Sequence, residues 1–274
     1  MNNKYTYVNG QLFLENEAKL LVSDLAVQRG YGIFDFLKTV NGKAIFIEDY
    51  FNRFYNSARE MNLEIELDRN ELYKAVNSLL EKNNIPNSGL KIILTGGYSE
   101  DGYQIAKPNL VIVQTAFEYD SYSFSKGLRL LSHNYQRQLP SVKTIDYLQA
   151  IRLQPILKLK QADDLIYHHN GQVRECPRAN IFMVKNGEVI TPKTDILRGI
   201  TRSKTLSIAL EGVTVLERDF SLDDLINADE AFITSSTKNV LPVINLDGKP
   251  IGNGKPGKIT TALNEQLLTM INNY

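Results

Sequence analysis

Apolar and polar residues along the chain switch between two periods, and four Asn-Gly pairs mark where the chain turns. These stand at Asn9-Gly10, Asn41-Gly42, Asn170-Gly171 and Asn186-Gly187. An Asn-Gly step between apolar or alternating stretches predicts a two-residue hairpin, because both central residues of that turn need a positive φ that Asn and Gly adopt readily. Strands are therefore expected over 33–40 with 43–47, 165–168 with 172–175, and 181–184 with 188–190. Further strand candidates lie at 91–95, 109–115 and 231–234. Apolar residues recurring every three or four positions predict helices over 48–61, 69–82, 145–160, 202–210, 223–226 and 258–271.

Helices and strands are mixed without strict βαβ alternation. That pattern implies an α+β chain of mixed, largely antiparallel sheets covered by helices, not a doubly wound dinucleotide fold. The polar, aromatic stretch 117–125 is the expected linker between a smaller N-terminal domain, 1–116, and a larger C-terminal domain, 126–274. No internal repeat or low-complexity segment interrupts either part.

Composition narrows the function classes. With 274 residues and 43% apolar content the chain can build two ordinary cores. Lys plus Arg equals Asp plus Glu at 31 each, without long runs of either sign, so nothing draws it to nucleic acid or to an anionic membrane surface. Small-molecule chemistry is the better expectation. Cys176 stands alone and has no internal disulfide partner. The start, 1–10, is polar and unlike a signal sequence, and no apolar run reaches bilayer length, so a cytoplasmic location is the default expectation.

The familiar catalytic signatures are missing. His133, His168 and His169 are too few and too poorly spaced for a metal site, and the adjacent pair points to opposite faces of a strand. There is neither a Gly-rich phosphate loop nor a Gly-x-Ser-x-Gly element. What remains is a series of short elements that together supply what a phosphate-bearing, pyridine-based cofactor requires. They run Arg29-Gly-Tyr31-Gly-Ile-Phe34-Asp35, Asp49-Tyr-Phe-Asn-Arg53-Phe54, Lys143-Thr144, Glu175-Cys-Pro-Arg178-Ala-Asn180-Ile-Phe182, Ile196-Leu-Arg-Gly-Ile200-Thr201-Arg202 and Thr234-Ser-Ser-Thr237.

In this order and at these spacings, from about Val8 to about Ile259, the chain resembles the class IV (fold type IV) pyridoxal-phosphate-dependent aminotransferases. That family includes branched-chain aminotransferases, D-amino acid transaminases and aminodeoxychorismate lyases. Arg29 to Asp35 and the Thr95-Gly-Gly-Tyr98 loop make it most similar to the D-amino acid transaminase group. The resemblance implies a two-domain fold with the active site between domains, pyridoxal 5'-phosphate as cofactor, and a homodimer sharing active-site residues across its interface. It implies transfer of an amino group between a D- or an aliphatic L-amino acid and a 2-oxo acid such as 2-oxoglutarate. The alternative within the fold is a lyase releasing pyruvate from aminodeoxychorismate.

Carried over residue by residue, the resemblance makes Lys143 the Schiff-base lysine, within the C-terminal domain. Its neutral amine would attack the cofactor aldehyde and later take a proton; a solvated surface lysine is the plain alternative. Glu175 would face the pyridine nitrogen and keep it protonated, or else be an ordinary strand-end carboxylate. The planar fork of Arg53 suits two phosphate oxygens, or a surface ion pair. Ile200 and Thr201 would open a helix whose first amides bind the phosphate, with Ser235, Ser236 and Thr237 closing around the same group. An ordinary N-cap and a hydroxyl-rich turn are the competing explanations. Tyr147, four residues beyond Lys143 and on the same face if the helix has begun, would hydrogen-bond the cofactor phenolate.

On the substrate side, Arg178 and Arg29 are the candidate carboxylate clamps, with Tyr31 in the loop that reaches the neighbouring subunit. Three departures from the family pattern make specificity the open point. Gln28 stands where Asp is common, Asp35 where Glu is common, and no Arg-x-His pair follows Gly96-Gly97.

Overall fold

The computed structural model describes residues 4–118 and 121–274. Residues 1–3 and, within the expected linker, Tyr119 and Asp120 lie outside the described residues. Contacts group the chain into two units, residues 4–118 with Val142–Asp146, and residues 121–141 with Tyr147–Tyr274.

The first unit runs β1 (Tyr5–Val8), β2 (Gln11–Leu14), α1 (Leu25–Arg29), β3 (Gly32–Val40), β4 (Lys43–Ala44), α2 (Ile47–Glu60), α3 (Arg69–Asn83), β5 (Ser88–Thr95) and β6 (Leu110–Ala116). Among the described residues its strands form one six-stranded sheet, ordered β2-β1-β6-β5-β3-β4, with antiparallel neighbours throughout. The Asn-Gly turns have the expected backbone: φ is 47° and 93° at Asn9 and Gly10, and 50° and 78° at Asn41 and Gly42. Strand β3 alternates. Ile33, Asp35 and Leu37 are fully buried, whereas Phe34 and Phe36 are half-buried on the other face. Helix α2 packs on β3 with Tyr50, Phe51, Phe54, Ser57 and Ala58 buried, a three- and four-residue spacing that turns one stripe to the sheet. Asp68 starts α3 through a capping box with Glu71.

The second unit runs α4 (Ser121–Lys126), β7 (Leu128–Asn134), α5 (Leu148–Arg152), α6 (Gln154–Lys160), β8 (Asp164–His169), β9 (Gln172–Val173), β10 (Glu175–Cys176), β11 (Ala179–Lys185), β12 (Glu188–Thr191), α7 (Ile200–Leu206), β13 (Thr214–Glu217), α8 (Leu222–Ile226), β14 (Glu230–Ser235), β15 (Asn239–Leu246), β16 (Lys249–Pro250) and α9 (Lys258–Asn272). Its sheet follows the order β13-β12-β11-β14-β15-β7-β8-β9, with β10 on β11 and β16 on β15. Strand β7 runs parallel to both β8 and β15, and β12 parallel to β13. One core gathers Ile166, Val173, Ile181, Leu225, Ile233 and Leu246; Phe182 and Phe232, paired in register, stack at 4.8 Å between ring centroids. The Glu230 carboxylate caps α9 by accepting from the Ile259 and Thr260 amides.

Four expectations need correction. The helix expected over 145–160 is two short helices, α5 and α6, because Pro155 enters the first turn of α6 and cannot donate to the preceding turn. Helix α7 stops at Leu206 instead of running to residue 210. Within the stretch expected as a linker, Ser121–Lys126 forms α4. The segment Val142–Asp146, expected in the C-terminal domain, makes its contacts in the first unit.

Candidate functional site

Lys143 is fixed through its backbone. Phe34 N donates to Lys143 O at 2.9 Å, Ile145 N donates to Gly32 O at 3.1 Å, and Thr144 forms an antiparallel bridge with Ile33. The segment therefore lies along β3 as a short extra strand. Its register sets Lys143 beside Phe34 on the same face of the sheet, and the Lys143 Nζ stands 4.6 Å from the Phe34 ring centroid. Behind it, Lys143 N lies 3.5 Å from Ser57 Oγ of α2, and Val142 is buried. The helix-face argument that joined Lys143 to Tyr147 fails, because α5 begins at Leu148 with Tyr147 as its N-cap.

Arg53 lies one helical turn before Ser57. Its Nε donates to Asp35 Oδ2 at 2.9 Å and its Nη2 to Asp35 Oδ1 at 2.6 Å, and its guanidinium lies 5.4 Å from the Tyr50 ring centroid. The surface ion pair considered from sequence is thus a buried, bidentate one, with Asp35 fully enclosed. Asp35 registers in the sequence only as a departure from the family pattern; the charge of Arg53 one strand-to-helix contact away explains why an acid belongs there.

Tyr31 donates its hydroxyl to Met61 O at 2.6 Å, and burial pushes its phenol above the usual range. Arg29 is exposed and donates to Gln28 O at 3.2 Å. On β3, burial lowers the Lys38 amine to about 8.

In the second unit Glu175 is buried and held at both oxygens. Arg137 Nη1 donates to Oε1 at 3.0 Å, and Leu197 N donates to Oε2 at 3.0 Å. Asn180 is the hub that sequence reasoning quotes but leaves without a role. It pairs with Glu175 on one side and with Thr234 on the other, and its amide donates to Leu197 O at 2.7 Å. A Cβ at Gly199 would come within 2.2 Å of Asn180 Oδ1, so only glycine lets the loop close onto the strand. The next residues, Ile200 and Thr201, are buried and open α7, whose N-terminus has no side-chain cap. Helix α7 packs on β14, the strand that leads into the Ser235–Thr237 turn. There Ser235 Oγ and Thr237 Oγ1 are 3.5 Å apart, Lys238 N donates to Ser235 Oγ, and the hydroxyl of Thr234 is buried without a hydrogen-bond partner among the described residues. Beside Glu175, Cys176 is buried and its thiol is pushed well above the ordinary value by desolvation.

The structure thus anchors Lys143 and Arg53 to neighbouring residues of β3, Lys143 beside Phe34 on one face and Arg53 on Asp35 of the other. Glu175, the start of α7 and the hydroxyl turn meet through Asn180. Arg178 does not join them through any described contact: its side chain is 68% exposed and its Nη2 lies 3.8 Å from Asp164 Oδ2.

Comparison with known proteins gives consistent matches. Residues 32–246 match the family model for amino-transferase class IV. A Methanocaldococcus jannaschii protein provisionally named a branched-chain-amino-acid aminotransferase is 30% identical, across 95% of this chain and 94% of its own length. The D-alanine aminotransferase of Staphylococcus haemolyticus is also 30% identical, across 94% of this chain and 95% of its own. Among solved structures, the branched-chain aminotransferase of Thermoproteus uzoniensis with norvaline superposes with a TM-score of 0.88 at 26% identity, covering 99% of this chain and 95% of the other.

Proposed function

This chain belongs to the class IV aminotransferases, a family of pyridoxal-phosphate enzymes, and on that premise we propose that Lys143 holds the cofactor and moves the proton during amino-group transfer. The single observation that carries the assignment is the backbone lock on Lys143, which fixes a half-buried amine over Phe34 on one face of the sheet. The cofactor, when bound, supplies an aldehyde for the incoming amino group and a ring that takes up the electrons of the broken Cα–H bond.

The donor set in this chain suits such a group. Among the described residues, an enclosed hydroxyl at Thr234 has no hydrogen-bond partner, and the first turn of α7 has no side-chain cap. The two oxygens of Glu175 accept from Arg137 and from the Leu197 amide, which fixes the orientation of the carboxylate. On this reading Ile200 and Thr201 give amides, and Ser236 and Thr237 give hydroxyls, to the phosphate. Arg53 adds a cation oriented by Asp35, Glu175 keeps the ring nitrogen protonated, and Tyr147 donates to the phenolate. With the cofactor bound, the Nζ of Lys143 would carry the proton from the Cα of the donor to the former aldehyde carbon of the cofactor, and in the second half-reaction from that carbon to the Cα of the acceptor. Arg29, Tyr31 and Arg178 serve the substrate, a D-amino acid or an aliphatic L-amino acid, with a 2-oxo acid such as 2-oxoglutarate as acceptor.

Assembly as a homodimer and residence in the cytoplasm complete the proposal. Exposed apolar side chains at Val22, Val27 and Tyr103, and at Leu148 and Leu159, support burial against a second copy. Among the described residues no helix is long and apolar enough to cross a membrane.

Cofactor absorbance followed during addition of D- and L-amino acids in turn tests the reading. One donor set is expected to shift the visible band to the near-ultraviolet, and Lys143→Ala to slow that shift by about a thousandfold or more. An unchanged rate in Lys143→Ala would remove the lysine from the reaction; pyruvate release without an acceptor would replace transamination by elimination.

A further inference from the structure

Asp24 is a fully enclosed carboxylate at the start of the loop that carries Arg29 and Tyr31, and it takes no part in the proton transfer at Lys143. A buried acid persists only where donors meet its oxygens, and here three do. Its Oδ1 accepts from Ala26 N at 2.8 Å, which caps α1. Its Oδ2 accepts from Thr95 Oγ1 and from Asn109 Nδ2, each at 2.7 Å. Thr95 ends β5 and Asn109 precedes β6, so one carboxylate ties the Arg29 loop to both ends of the β5–β6 connection. Capping alone does not require an acid, because Asn caps a helix as well as Asp does. The second oxygen serves the neighbouring connection, where an Asn amide would meet the Asn109 amide as donor against donor.

Backbone bonds follow the same seam. Leu25 N donates to Gly97 O, Ser99 N to Ser23 O and Gly96 N to Tyr31 O, and Asp24 forms an antiparallel bridge with Tyr98. Farther along, a Cβ at Gly102 would come within 2.6 Å of Gln28 Oε1 and 3.8 Å of Arg29 Nη2, so the connection lies against the residues that end α1. The Arg29 guanidinium donates to Gln28 O within its own loop, and its position therefore follows that of the loop.

We propose that Asp24 is a positioning residue for Arg29: by holding the α1 loop against the β5–β6 connection, it sets where the guanidinium stands to meet the substrate. Lys143 is fixed separately, by its own pairing with β3. Loss of the Asp24 bonds therefore acts on substrate binding more than on the chemistry at Cα.

The proposal rests on Arg29 serving the substrate, and a double-mutant cycle separates the two claims. KM for the amino donor and kcat are measured for the cofactor-loaded parent, Asp24→Asn, Arg29→Ala and the double variant, with thermal melting of each. Asp24→Asn is expected to raise KM about fivefold with a smaller change in kcat. Arg29→Ala is expected to raise it about tenfold, and the double variant no further than Arg29→Ala alone, because the group that Asp24 places is then gone. Thr95→Val removes one donor to Oδ2 and keeps the branched shape; it is expected to raise KM about threefold, and it replaces Asp24→Asn in the cycle should that variant not fold. A lowered melting temperature with unchanged KM in Asp24→Asn and Thr95→Val makes the carboxylate purely structural and overturns the proposal. So does a double variant whose KM rises by the product of the two single effects, and both results leave Arg29 on the substrate side. An unchanged KM in Arg29→Ala removes Arg29 from the substrate and the proposal with it.

Discussion

Two buried carboxylates, one in each unit, hold an arginine, and they do it differently. Asp35 turns both oxygens to the single fork of Arg53, and its Oδ1 also accepts from the Phe36 amide of its own strand. Glu175 divides its oxygens between Arg137 and the amide of Leu197. The first arrangement is a bidentate strand-to-helix clamp that fixes α2 against β3. The second ties a strand to the loop that leads into α7, and its arginine is shared, since Arg137 also donates to the carbonyls of Pro140 and Leu139. The first pair therefore fixes a helix against a strand, and the second fixes a strand against the loop ahead of α7.

Substitution of each acid separates the two. Asp35→Ala takes both carboxylate oxygens away from a cation that is only 12% exposed, and is expected to destabilise the protein by about 3–5 kcal/mol. Glu175→Ala leaves Arg137 its carbonyl acceptors, and is expected to cost about 1–3 kcal/mol, mostly from the orphaned Leu197 amide. Urea unfolding of both variants measures the difference. Equal losses would mean that the two pairs are alike and that the divided geometry has no energetic meaning.

The buried amine of Lys38 behaves differently again. Burial lowers the Lys38 amine from 10.5 to about 8. In that window the unfolded chain binds a proton that the folded chain has released, so stability rises as pH goes from about 8 to 10.5 and is lowest where both states are charged. Lys38→Met is expected to raise stability at pH 7 by about 1–3 kcal/mol and to flatten that rise. Denaturant midpoints measured at about pH 7, 9 and 10 check both effects; a midpoint that falls between about pH 8 and 10 in the parent contradicts the sign.

Hairpins are readable because their chemistry is local: Asn and Gly at all four sites hold the positive φ that the turn requires. Helix α2 and helix α3 are readable for the same kind of reason, each from an apolar stripe along its own length. The candidate site is legible only as an order of motifs. Nothing local in the sequence pairs Asp35 with Arg53, Arg137 with Glu175, or Asn180 with Leu197, since those bonds join residues 18, 38 and 17 positions apart. Lys143 misleads locally, because a helical pattern after it suggests a helix under it. The backbone there pairs with β3 instead, a tertiary contact that periodicity cannot report.

Arg178 marks the weak end of the same scale. It is 68% exposed and 3.8 Å from Asp164 Oδ2, a carboxylate that also has Lys238 at 3.8 Å. Water screens so exposed a pair, and a second cation stands ready for the acid, so Arg178→Ala is expected to change stability by less than about 0.5 kcal/mol. Its proposed place on the substrate side predicts a separate effect: KM for the amino donor rises about tenfold while kcat changes less, because a bound carboxylate loses a charge-assisted bond that the free protein never made. Thermal melting and initial rates of one variant thus divide the alternatives. A lowered melting temperature with unchanged KM would return Arg178 to the class Asp35 defines, an arginine retained for its acid and not for a ligand.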